Sequence, residues 1–403
     1  MRKVLEKGHT IILLGTGGVG KTTIAAALGM AGALKKLNTA VVTVDPAHRL
    51  RDALGLSGLG AHPRRLDARR LRQAGVNSSI KLSAMQLDVK RQWDSLVERF
   101  IADPAARERI LNNRFYRSLA GQFAGSDAYA ALEQLYDLHE SGGFELEVVD
   151  TPPVSQAFEF LQAPGRLIRL LDSASVRWLF APHIPGRHFA LRLANRAGRL
   201  IARELEEFAG TTMLFSISDF FISAAAATRA LVDRFRKAEA LLRSPAVHFV
   251  VVTTPEPDRI RQASELIAEM AAQDLTPALV VVNRFLDEQV WSEIARKGRL
   301  TAAASLPSAL NDEIRKGGSE KAVLDFIEQY SGRLREDIDR VKDFVRHLNP
   351  ETPLVTVPEL FTEVGGLATL VKIAEYLIAE ESVLPHTPRV RVGSSARGRN
   401  RAE

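Results

Sequence analysis

The chain has 403 residues, 46% of them hydrophobic and 25% charged, a globular composition long enough for one large or two medium domains. It contains no cysteine, which excludes disulfides, thiolate metal sites and thiol catalysis and fits a reducing, cytoplasmic setting. The net charge is +6, but removing Arg389, Arg391, Arg397, Arg399, Arg401 and Glu403 leaves about +2, so the body is nearly neutral and no specific nucleic-acid partner is expected.

Met1 to Thr10 carries Arg2, Lys3, Glu6 and Lys7 and leads into the strand-like run Ile11–Leu14. That run is too short for a signal peptide, and no small-residue cleavage site follows it. No stretch of about 18 uncharged apolar residues occurs, so no integral membrane span is expected.

Gly15-Thr16-Gly17-Gly18-Val19-Gly20-Lys21-Thr22 comes next and matches GxxxxGK[ST]. It follows a strand and opens a helix from Thr23 to Leu34, the context that gives the motif its meaning. Its glycines let backbone N–H groups surround phosphate oxygens, and the helix start adds partial positive charge. Lys21 is expected to reach the β and γ phosphates of ATP, and the Thr22 hydroxyl to ligate Mg²⁺.

The strand Ala40–Val44 ends in Asp45-Pro46-Ala47-His48. An acid at the carboxyl end of such a strand faces the ligand crevice and can orient the attacking water; a cap on the next helix is the alternative. A wholly helical gap is expected from about Ser83 to Gly142, with helices Val89–Ile101, Ala105–Leu111 and Ala128–Glu140. The strand Leu146–Val149 then runs into Asp150-Thr151-Pro152-Pro153, a Walker-B-like end whose acid holds Mg²⁺ directly or through water, or else caps the following turn. Glu147 interrupts this apolar strand and is expected at a fraying start or paired with an arginine.

A second helical gap runs from about Pro164 to Ser244, and strands follow at His248–Thr253, Ala278–Val282 and Leu354–Val357. Asn283, just past the fifth of the six expected strands, offers donors and an acceptor that suit an adenine edge, although Asn is common at strand ends. Val323, Leu324, Ile327, Leu334, Ile338, Val341 and Val345 make one apolar stripe on a long helix, Glu320 to Leu348. The alternation predicts an α/β fold, a doubly wound, mostly parallel sheet with a helical insertion subdomain. The expected organisation is one ATPase domain over residues 1–383, with helical insertions at about 84–142 and 165–244, and a disordered basic tail over 384–403.

With these segments in place the chain resembles the ArsA-type P-loop ATPases, which include the arsenical pump-driving ATPase and the targeting ATPase for tail-anchored membrane proteins. Gly17-Gly18-Val19-Gly20-Lys21-Thr22-Thr23 is similar to that family's P-loop. Asp45-Pro46-Ala47-His48 is similar to its switch I, and Asp150-Thr151-Pro152-Pro153 with Phe160-Leu161-Gln162-Ala163-Pro164 to its switch II. Val357-Pro358-Glu359 with Glu363-Val364-Gly365-Gly366 resembles the loop that closes over the base. The resemblance implies ATP and Mg²⁺ as cofactors, Asp45 and Lys21 as catalytic residues, and Thr22 and Asp150 at the metal. It also implies contacts to the nucleotide from Thr16, Thr23, Asn283 and Pro358.

The family usually carries Lys where this chain has Thr16, and that Lys reaches the partner subunit's ATP. The resemblance therefore implies either a heterodimer with a related chain that supplies the Lys, or a homodimer that hydrolyses slowly. Three functions are expected to compete. The first is an ATP-driven dimer switch for a protein client, with Phe208, Met213, Leu214, Phe215, Phe220, Phe221 and Ile222 lining a groove for a hydrophobic helix or forming the insertion's own core. The second is the energising subunit of a membrane anion transporter. The third is a MinD- or ParA-like spatial regulator, against which the Asp-Pro-Ala-His segment and the insertions argue.

Overall fold

A computed structural model describes residues 4–44, 49–77, 79–121, 126–151, 165, 168–169, 216–217, 219–224, 226–285, 320–359 and 366–378. Asp45 to His48, most of the second expected insertion and the basic tail lie outside these residues.

The centre is an eight-stranded sheet. In chain order its strands are β1 (His9–Gly15), β2 (Thr39–Thr43), β3 (Arg64–Arg65), β4 (Leu82–Gln86), β5 (Leu146–Asp150), β6 (Val247–Thr253), β7 (Leu279–Phe285) and β8 (Leu354–Pro358). Their spatial order is β3-β4-β2-β5-β1-β6-β7-β8. Every pairing is parallel except that of the short edge strand β3 with β4. The six expected strands are all present. β3 and β4 are additional, and β4 takes the first residues that the sequence pattern gave to a helical gap from about Ser83.

The helices are α1 (Lys21–Leu34), α2 (Arg49–Ala53), α3 (Ala68–Gln73), α4 (Val89–Phe100), α5 (Pro104–Asn112), α6 (Arg114–Gly121), α7 (Ser126–Ser141), α8 (Thr228–Leu242), α9 (Pro257–Ala272), α10 (Glu320–His347) and α11 (Leu367–Ile378). Asp88 and Asp103 cap α4 and α5 by accepting hydrogen bonds from free N–H groups of the first turns, and Pro104 occupies a position where no N–H is needed.

Alternation along β1 shows why Ile11 to Leu14 are all apolar. Ile11 and Leu13 face a core built with α1, α2, α3 and α11, while Ile12 and Leu14 face the one built with α4 to α10. A parallel sheet buried on both faces has no polar side to present. Helix α1 lies unusually close to the sheet. A β-carbon on Gly29 would stand 2.2 Å from Val41 Cγ2, and one on Gly32 would stand 2.3 Å from Leu146 Cδ2. This seating anchors the helix that follows the glycine-rich loop.

Glu147 is not frayed, and no arginine pairs with it among the described residues. It is buried within β5 and accepts a hydrogen bond from the Thr10 hydroxyl across the sheet at 2.9 Å. Burial lifts its carboxyl to about 7, and the Thr10 bond only partly opposes that rise.

Candidate nucleotide site

Parallel pairing sends the carboxyl ends of β1, β2, β4, β5, β6, β7 and β8 to one edge of the sheet, and strand order reverses around β1, the arrangement that opens a ligand crevice. The P-loop leaves β1 at this edge. Gly20, with φ +89°, precedes α1 in the left-handed region. No side chain caps α1, and its first turn contains no acid. The N–H groups that a cap would satisfy are left to the loop, which suits an anion.

The loop leaves no room for side chains at its key turns. A β-carbon on Gly15 would stand 2.3 Å from the Val252 carbonyl oxygen of β6. One on Gly20 would stand 2.3 Å from Asn283 Nδ2. The Lys21 ammonium is folded into the loop, donating to the Gly15 carbonyl at 2.9 Å and the Thr16 carbonyl at 3.1 Å. With the side chain 8% exposed, a cation is held where phosphate oxygens are expected.

Thr22 and Asp150 meet. The Thr22 hydroxyl donates to Asp150 Oδ2 at 2.8 Å, and the Thr43 hydroxyl at the end of β2 donates to the same oxygen at 3.0 Å. The backbone ties these ends together as well, since Val44 N–H donates to the Asp150 carbonyl at 3.1 Å. Next to Asp150, the Thr151 hydroxyl donates to the Leu13 carbonyl of β1. One carboxylate and two hydroxyls in a polar notch beside the P-loop form an oxygen-donor set suited to a hard cation such as Mg²⁺. The residues present thus fit MgATP: a glycine cradle, a buried ammonium and a hydroxyl–carboxylate pair. Thr43 was not singled out from the sequence, although its position as the last β2 residue before Asp45 is the signal that marks it.

Asn283 reaches the loop from β7. Its Nδ2 donates to the Val19 carbonyl at 2.8 Å, and the side chain is buried. The register between β7 and β8 shifts between Val282 and Phe285, and Arg284 takes φ +56°. Such a bulge re-aims a side chain, here turning Asn283 across β6 toward the P-loop. Pro358 ends β8 at the same edge, paired with Phe285. Thr16 is 8% exposed, and its hydroxyl makes no hydrogen bond among the described residues. The site therefore collects Gly15 to Thr23, Asp150, Asn283 and the end of β8, while the catalytic acid expected at Asp45 lies outside the described residues.

The expected groove residues divide. Phe220 and Phe221 join an apolar cleft with Trp93, Leu96, Phe115 and Tyr116 among the helices on the α4–α7 face. Phe220 meets Phe115 edge-on and stacks with Tyr116. Ile222 is 48% exposed, and Phe208 to Phe215 lie outside the described residues.

A family model described as anion-transporting ATPase matches residues 9–325. Three curated relatives are similar. The ATPase ASNA1 homolog of Babesia bovis is 26% identical over 274 residues, 68% of this chain and 65% of the relative. The ATPase get3 of Aspergillus terreus is 30% identical over 168 residues, 41% of this chain and 46% of the relative. The putative arsenical pump-driving ATPase 1 of Aquifex aeolicus is 21% identical over 379 residues, 92% of this chain and 79% of the relative. The chain thus spans just under two thirds of the first relative's length and about half of the second's. A match over most of the chain, on an eight-stranded sheet with its P-loop at the carboxyl edge, places it in a family: the chain belongs to the ArsA-type, or anion-transporting, ATPases.

Proposed function

We propose that this chain binds MgATP at its P-loop and hydrolyses it to ADP and phosphate, driving a dimer between open and closed states to handle a partner protein in the cytoplasm. The observation that carries this is the meeting of the Thr22 and Thr43 hydroxyls on Asp150, beside the buried Lys21. Each residue has a task. The loop N–H groups and Lys21 hold the phosphates, and Thr22 with Asp150 would hold the metal. Mg²⁺ held there would neutralise charge on the phosphates. Asp45 accepts a hydrogen bond from the attacking water and sets it in line with the γ-phosphorus, so that the bond to the bridging oxygen breaks and ADP leaves. Asn283 holds the loop at Val19 and, with Pro358, would contact the base.

A hydrophobic helix is the client proposed, because the helical layer carries an apolar, aromatic cluster around Trp93 and Phe220 with Ile222 exposed in the same segment. Among the described residues no helix is long and apolar enough to cross a membrane. A transporter subunit is the second reading, favoured by the family's description; without cysteine, any arsenical it responded to would have to act without thiolates. Thr16 offers no cation to a partner subunit, so hydrolysis by the chain alone is expected to be slow, and a related chain is the natural partner.

Turnover assays test the proposal. The wild type should release phosphate from ATP in Mg²⁺, Lys21→Ala should lose both binding and turnover, and Asp45→Asn should bind ATP but lose at least about a hundredfold in rate, the scale of a general base or water-positioning group. Full turnover in Asp45→Asn would remove its assignment, and equal turnover in Lys21→Ala would remove the site.

A further inference from the structure

Strand β6 lies beside β1, so the turn from β6 into α9 flanks the P-loop. From the first turn of α9, Arg259 extends toward that loop. Its Nη2 stands 4.0 Å from where a β-carbon on Gly18 would be, and among the described residues other than Gly17, Gly18 and Val19 no other heavy atom comes within 4 Å of that point. Gly18 itself has φ +83°. The open space over this glycine is therefore faced by a guanidinium.

The arginine is held rather than consumed by its neighbours. Nη1 donates to Gln262 Oε1 at 3.2 Å, and Nε lies 3.8 Å from Glu256 Oε2, beyond hydrogen-bonding distance. Nη2 makes no hydrogen bond among the described residues. The same oxygen, Glu256 Oε2, accepts a hydrogen bond from the Thr254 hydroxyl at 3.2 Å. Arg340 of α10 braces the turn by donating to the Pro255 carbonyl at 2.6 Å and to Asp337 at 2.7 Å. Helix stability does not explain the placement, because a cation in the first turn of α9 opposes the helix dipole.

Charge gives the placement a purpose. Between Gly15 and Thr22 the single cationic side chain is Lys21. A triphosphate has oxygens enough for several donors, and a planar guanidinium matches phosphate better than any other side chain. We propose that Arg259 is a phosphate-contacting residue of the nucleotide held by this P-loop, supplying from α9 a second cation that the loop itself lacks. This rests on MgATP being the ligand of the site.

The test is titration of the full chain with ATP and ADP in Mg²⁺, using wild type, Arg259→Gln, Arg259→Lys and Lys21→Ala, with unfolding midpoints measured without nucleotide. Arg259→Gln is expected to bind ATP or ADP about tenfold or more weakly, the scale of a lost charged hydrogen bond, with an unchanged midpoint. Arg259→Lys should recover part of the loss because it keeps the charge. If Arg259→Gln lowers the midpoint, recovery of affinity in Arg259→Lys still supports the contact and its absence opposes it. The proposal is overturned if wild type binds ATP, Lys21→Ala does not, and Arg259→Gln matches wild type within about twofold. A wild type that binds no nucleotide overturns the MgATP reading and this proposal with it.

Discussion

At the scale of single residues, Glu147 couples the stability of the sheet to pH. Its carboxyl is buried in the sheet, with Thr10 its hydrogen-bond donor, and titrates at about 7 instead of 4.5. A raised folded-state value means that the folded protein binds this proton more tightly than the unfolded chain. The stabilising contribution is complete below about pH 4.5, falls as pH rises through 7, and is gone above it. Glu147→Gln should therefore flatten the loss of stability between about pH 4.5 and 7 and gain up to about 3 kcal/mol at pH 8. Thermal midpoints across that range would check it; a variant that is less stable than wild type at pH 8 would contradict the assignment. The P-loop residues were legible in the sequence because glycine, lysine and threonine at fixed spacing have one well-defined use. Thr43 and Arg259 were not, because each acts on a residue far away in the chain and only the sheet order brings them to the loop.

At the scale of elements, the helical layer is held by a charged knot as well as by its core. Arg234 of α8 donates to Glu133 and Asp137 of α7, both at 2.5 Å, and its guanidinium lies 4.0 Å from the centre of the Tyr136 ring. Arg99 and Gln92 of α4 also reach Asp137. Burial raises the Glu133 carboxyl, while at Asp137 burial is outweighed by the hydrogen bonds from Arg99 and Gln92 and the charge of Arg234, and its carboxyl is lowered. Arg234→Leu would strand Glu133, which is 1% exposed, and is expected to cost about 3 kcal/mol in denaturant unfolding. A loss under about 0.5 kcal/mol would show the knot to be inert. Long periodic helices such as α10 were readable, and its Leu334 and Val341 are buried as the stripe requires. The strand β4 was not, because Leu-Ser-Ala-Met-Gln has neither strict alternation nor a β-branched run, and pairing with β2 overrides its weak propensity.

Across the whole molecule, one geometric fact organises the chemistry: seven parallel strands end at one edge, and every candidate site residue described sits at or next to such an end. The two cores on opposite sheet faces divide the work. One, with α1 and α11, seats the P-loop helix, and the other carries the helices and their apolar cleft. Six of the eight strands were visible in the sequence as apolar runs and the motifs as their endings, so the fold class was legible from local pattern alone. The order of the strands was not, since nothing local says that β5 lies between β1 and β2. That order is what joins Thr22, Thr43 and Asp150 into one notch, and it is there that the account is most exposed. The direct measurement is ATP affinity with Mg²⁺ and with EDTA for wild type, Thr22→Ala and Asp150→Asn. Wild type should bind ATP more tightly in Mg²⁺, and both variants should lose that gain, by about tenfold. An undiminished Mg²⁺ gain in both variants would contradict the account.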